Sequence, residues 1–127
     1  MKSITIISDR ALDLATLTEV YKNQCKVDMP SSQRLVIEGD CGWFAFNLGE
    51  PPLADFDEAE LARITAKITR PCFAQLEYSN GTAANFAITL FPGGGSTLVD
   101  NDHGLIAPIE EIRKRIDEGS EWQTASV

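Results

Sequence analysis

The chain has 127 residues, enough for one domain with a core that needs no staples, and its 43% apolar and 24% charged content is ordinary for a globular protein. A formal net charge of -8 argues against nucleic acid or anionic lipid as a direct partner, because phosphates would be repelled, and it permits steering toward a basic protein. No apolar run approaches a membrane span, the start of the chain is too interrupted for a signal peptide, and Cys25, Cys41 and Cys72 form no CxxC, so a cytoplasmic protein with reduced thiols, mostly in the core, is expected.

In chain order, Ser3 to Ser8 is rich in Ile and Thr and predicts a strand. Leu14, Leu17, Tyr21 and Cys25 recur at helical spacing, with Asp13 as a cap, until Pro30-Ser31-Ser32 breaks the pattern. Arg34 to Glu38 and Trp43 to Leu48 read as a hairpin about the turn Gly39-Asp40-Cys41-Gly42, and Gly49-Glu50-Pro51-Pro52 ends it. Asp57 with Glu60 predicts a capping box, Leu61, Ile64 and Ile68 the stripe of a second helix, and Pro71 its stop. Cys72 to Tyr78 and Ala84 to Phe91 read as two strands around Ser79-Asn80-Gly81-Thr82, since Asn-Gly is a strong hairpin signal. After Pro92-Gly93-Gly94-Gly95 comes a brief strand near Thr97 to Asp100. Pro108 suits the first turn of a last helix with Ile109, Ile112 and Ile116 on one face, Gly119 as its stop, Trp122 packing back and a frayed tail from Thr124. The expectation is a single α+β domain over 1–127: an antiparallel sheet built from hairpins, with about three helices packed on it.

Charge is unevenly placed along the chain. Residues 35–62 carry seven acids and no lysine or arginine, and residues 71–112 carry five acids and again neither base. Solvated surface explains net charge, but it predicts bases interspersed among the acids, so the separation favours a binding face equally well. Trp43 alternates away from Phe44 and Phe46, and beside Glu38, Asp40 and Glu50 it is a candidate anchor for such a face, against the ordinary reading of a core tryptophan.

The one compact polar constellation is Asp100-Asn101-Asp102-His103-Gly104, which holds the only histidine. Metal binding or acid–base chemistry is one reading; a turn held by its own Asn and Asp side chains is the plainer one. The EF-hand spacing is absent, and Gly93-Gly94-Gly95-Ser96 lacks the lysine of a phosphate loop. No nucleophile elbow occurs, so neither catalytic nor cofactor residues are assigned.

Three segments carry a resemblance: Cys72-Phe73-Ala74-Gln75-Leu76-Glu77-Tyr78, then Thr97-Leu98-Val99-Asp100-Asn101-Asp102-His103-Gly104, then Pro108 to Ile116. Together, over about residues 70–122, they resemble the small bacterial immunity proteins that accompany polymorphic toxins, in contact-dependent inhibition and type VI secretion. The resemblance implies a non-catalytic inhibitor, a monomer or weak homo-oligomer, that binds the C-terminal domain of its own toxin and covers the active site or an exosite. Many such toxins are nucleases with basic clefts, which an acidic protein can occupy in place of nucleic acid. Glu38, Asp40, Trp43, Glu50, Glu77, Asp100, Asp102 and His103 are the candidate contacts. The rival expectation is a small enzyme or metal-binding protein using Asp100, Asp102 and His103, and a third is an assembly subunit.

Overall fold

The computed structural model describes residues 2–48, 56–92 and 96–125, and every structural statement below concerns these residues. Glu50, Asp55, the Pro51-Pro52 stop and the Gly93–Gly95 run lie outside them. The elements are β1 (Lys2–Ser8), α1 (Leu14–Tyr21), β2 (Lys26–Ser31), β3 (Arg34–Gly39), β4 (Gly42–Asn47), α2 (Glu58–Lys67), β5 (Cys72–Tyr78), α3 (Gly81–Leu90), β6 (Thr97–Asp100), β7 (Ile106–Pro108) and α4 (Ile109–Asp117). The seven strands form one sheet in the order β2-β3-β4-β5-β1-β6-β7, and every neighbouring pair is antiparallel. The fold is therefore α+β, as the hairpin pattern predicts.

Strand alternation sends the apolar residues to two unequal layers. Ile4, Ile6, Leu35, Ile37, Phe44, Phe46, Leu76 and Val99 face one side and form the main core with α1, α3, α4 and the buried Trp122. Ile7, Phe73 and Leu98 face the other side and meet Phe56, Ile64 and Ile68, so α2 alone packs on that face. The predicted alternation in β4 holds: Phe44 and Phe46 are fully buried in the main core, and Trp43 lies half-buried on the opposite face. Cys25, Cys41 and Cys72 are free thiols but only half-buried, so none belongs to the interior of the core.

Both predicted caps form. Asp13 accepts from the Ala15 N–H at 3.0 Å, and Asp57 and Glu60 close a reciprocal capping box at 2.7 and 3.1 Å. Three expectations fail, each for a physical reason. The segment after Asn80 is helix α3, not the return strand of a hairpin: Asn80 Oδ1 accepts from the Ala83 N–H at 2.9 Å, and the alanine-rich run buries Ala83, Ala84, Ala87 and Ile88. The buried residues recur at helical spacing, with Thr82, Asn85 and Thr89 on the other side, a period that the Asn-Gly turn signal outweighed in the sequence reading. The first helix stops at Tyr21, and β2 follows; Pro30 is tolerated there because β2 is an edge strand with a bulge between Asp28 and Ser31. Pro108 ends β7 and caps α4 rather than opening its first turn. The sheet thus carries four described helices.

Candidate functional site

The antiparallel register brings one set of strand ends to a single edge of the sheet. Glu38 pairs with both Lys26 and Trp43, Phe44 with Tyr78, and Tyr78 with Lys2. The β3–β4 turn, the start of β1, the β5–α3 junction and the turn after β6 all lie there. The β3–β4 turn is docked on the β5–α3 junction: the Trp43 N–H donates to Ser79 Oγ and the Ser79 N–H to the Trp43 carbonyl, each at 3.0 Å. Gly42 permits this approach. Its φ is +118°, and a Cβ there would sit 2.5 Å from Ser79 Oγ.

The Asp100–Gly104 turn is built around Asn101, which is 1% exposed. Its Oδ1 accepts from the His103 N–H at 2.8 Å and the Leu105 N–H at 3.1 Å, while its Nδ2 donates to the carbonyls of Trp122 and Ala125 at 2.7 Å each. One side chain therefore shapes the turn and ties it to the C-terminal segment. Trp122 Nε1 donates to Asn85 Oδ1 at 2.8 Å, so the segment is anchored on α3 as well. The expected fraying from Thr124 does not begin there: Thr124 and Ala125 are held by these bonds and by Glu121. Asp102 takes the left-handed conformation, φ 63°, which Asp tolerates, and both Asp102 and His103 are exposed.

The candidate contacts separate into three groups. Glu38, Asp40, Trp43, Asp102 and His103 are brought to the common edge; all are exposed except Trp43, which is half-buried. Glu77 lies further in, on the α2 face of the sheet. It accepts from Asn47 Nδ2 and, at 3.1 Å, from Arg34 Nη1, and Arg34 also reaches Asn47 Oδ1 at 2.7 Å. Its charge is largely answered by Arg34, so strands separate in sequence undo part of the acid–base segregation. Asp100 does not belong on a surface: it is 3% exposed, and its carboxylate accepts the Asp102 N–H at 2.9 Å. Burial raises its pKa to about 6, with Asp102 and Glu60 adding to the rise and the Asp102 N–H and Arg63 opposing it.

Sequence reasoning missed Tyr78 and Glu121, whereas the turn held by its own Asn and Asp side chains is the one that forms. A cleft of about 310 Å³ at this edge is lined by Lys2, Tyr78, Asp102, His103, Gln123 and Thr124 among others. Burial raises the Tyr78 pKa, and the charges of Asp102 and Glu121 raise it further. Burial alone would raise Glu121, but hydrogen bonds from the Thr124 hydroxyl and from the Thr124 and Gln123 backbone, together with nearby His103, bring it below the usual range. Tyr78 reads only as the end of a strand, and nothing local signals that the tail returns to line a cleft with it. Among the described residues, no three His, Cys, Asp or Glu side chains are placed to hold a metal ion, and no helix is long and apolar enough to cross a membrane.

Comparison with other proteins adds no identity. No family model, curated protein or solved structure matches the chain. The edge cleft offers the Asp102 carboxylate and the His103 imidazole on a firmly tied turn, with the Tyr78 phenol and the Lys2 amine from the neighbouring strands, a set suited to hydrogen-bonded and charged contact with another molecule.

Proposed function

We propose that this chain is a cytoplasmic immunity-type protein that binds the basic domain of a cognate toxin, of nuclease type, and inhibits it by occupying its substrate cleft or an adjoining surface. The observation that carries this reading is the presence at one sheet edge of exposed acids from separate segments: Glu38 and Asp40 from the first hairpin, Asp102 from the turn after β6, and Glu121 from the tail, bonded to Thr124 of the cleft wall. Half-buried Trp43 lies beside the first pair and supplies apolar area of the kind that anchors an interface.

Such an edge attracts a basic surface over distance and then contacts it with groups held in place by the fold. Electrostatic complementarity acts mainly on the association rate and on specificity, while a desolvated aromatic sets how long the complex lasts. The net charge of -8 adds to the attraction and repels nucleic acid from the same face. The burial of Asp100 disfavours the rival metal or acid–base reading, because that carboxylate is committed to the turn backbone rather than turned out beside His103.

The test is a binding titration against the C-terminal domain of a toxin encoded directly upstream of this gene, at low and at high salt. Tight binding that weakens as salt rises, with loss of the toxin's activity in the complex, is the expected result. Absence of binding at low salt overturns the reading.

A further inference from the structure

β2 closes one side of the sheet, and the hydrogen-bond alternation of its neighbours fixes which of its backbone groups point outward. The Leu48 N–H donates to the Gln33 carbonyl at 2.9 Å, and β3 and β4 keep that register through Gly39 and Gly42. Hydrogen-bonded pairs alternate along an antiparallel ladder, so Gln33, Leu35, Ile37 and Gly39 bond to β4. Arg34, Val36 and Glu38 then direct their N–H and carbonyl groups to β2, where Val36 pairs with Asp28 and Glu38 with Lys26. The backbone groups of Lys26 and Asp28 are therefore used inward, and the N–H and carbonyl of Val27 point away from the sheet, where no described strand lies. The Val27 side chain packs on the main core, which puts the exposed Lys26 and Asp28 side chains together on the opposite face. Neither makes an ion pair with a described residue.

We propose that this open side of β2 pairs with β2 of a second copy of the chain, antiparallel about a two-fold axis at Val27, so that one sheet runs through a homodimer. The pairing is independent of toxin binding: strand ends carry the latter, and the long side of the border strand carries the former. On such an axis Val27 meets Val27 of the second copy, and the two exchange a pair of backbone hydrogen bonds. Lys26 then meets Asp28 of the second copy, and Asp28 meets its Lys26. These are non-hydrogen-bonded pairs, the kind in which facing side chains come closest, so symmetry makes two opposite-charge contacts at once. That self-complementarity selects a second copy as the occupant, because any other extended segment would have to carry an acid and a base at the same spacing. Met29, the one exposed large apolar side chain among the described residues, comes opposite Cys25 of the second copy and is covered there. The junction is short. The Cys25 N–H is already bonded to the Tyr21 carbonyl at 3.0 Å, and the bulge after Asp28 and Pro30 divert the strand beyond it. Association is accordingly weak, with a dissociation constant of about 0.1 mM.

Sedimentation equilibrium of the whole chain, from about 5 µM to about 1 mM, tests the pairing. At about 0.15 M salt the Debye length of about 8 Å screens the net repulsion between copies more than the contact pairs, and the mass is expected to rise toward that of a dimer. Lys26→Asp and Asp28→Lys each change an exposed side chain and turn both attractive contacts repulsive, so each should weaken association about tenfold or more with an unchanged circular dichroism spectrum. An equimolar mixture of the two variants should associate again, because the reversed charges once more face opposite ones. Val27→Pro removes the outward N–H without touching the ladder to β3, and should also leave a monomer. A monomer mass for the parent at every concentration, self-association that survives both reversals, or a mixture that stays monomeric overturns the pairing. A monomeric parent whose toxin binding is weakened by Val27→Pro overturns it as well and gives this side of the sheet to a strand of the toxin. A dimer without any toxin partner overturns the immunity role alone.

Discussion

Asp100→Asn should make this protein more stable at neutral pH and flatten its pH profile. Asp100 is 3% exposed and has a pKa raised to about 6 from an ordinary 3.8, chiefly by burial. The folded state therefore holds the proton more tightly than the unfolded chain does. Stability contributed by protonated Asp100 is fully present below the unfolded value and is lost as pH rises through the folded one, so the loss falls between about pH 4 and pH 6. At about 1.4 kcal/mol per tenfold change in proton affinity, the full difference corresponds to roughly 3 kcal/mol. Asparagine keeps an oxygen to accept the Asp102 N–H but is itself polar and buried, so a net gain of about 1–2 kcal/mol at pH 7.5 is expected. Urea unfolding followed by tryptophan fluorescence, with Trp122 as the buried reporter, at a series of pH values from about 4 to about 8 measures both quantities. A variant less stable than the parent at neutral pH, or one that keeps the parent's slope between pH 4 and 6, would refute the reasoning.

Asn101→Ala removes two accepted and two donated hydrogen bonds in the interior, and should cost about 2–4 kcal/mol in urea unfolding and free the tail to proteolysis near Trp122. Asp57→Ala breaks the capping box at an exposed helix start, for which a loss of about 1 kcal/mol is expected in the same assay, with the main core unaffected in its NMR spectrum. Asp40→Asn combined with Asp102→Asn leaves both turns intact, since Asn suits each backbone, and should slow association with the toxin domain and reduce its salt dependence; unchanged association kinetics would remove these acids from the interface.

The first hairpin, the Asp13 cap and the Asp57–Glu60 capping box were legible in the sequence because their signals are local: a turn residue or cap acts within a few positions of itself. The hairpin expected around Asn80-Gly81 failed at the same range. Asn80 serves a helix start as readily as a turn, and the choice was made by what the following alanines pack against. β2 escaped notice because an edge strand tolerates the proline that would disqualify a central one. For the site, composition pointed to acids and the Asp100–Gly104 turn to a well-formed loop. It could not separate Asp102, which is exposed, from Asp100, which faces inward two residues earlier.

The sequence by itself determined the α+β class, the starts of the first two helices, the alternation that buries Phe44 and Phe46, and the net negative charge, all properties of composition and of spacing over a few residues. Tertiary structure alone decided where that charge stands. Pairing of β4 with both β3 and β5 put Arg34 on Glu77, the return of the tail put Asn101's partners beside the turn, and the sheet order brought Glu38, Asp40 and Asp102 to one edge. These contacts join residues many positions apart, and their energy depends on burial and on distances of a few ångströms, quantities that a linear pattern of residue types does not contain.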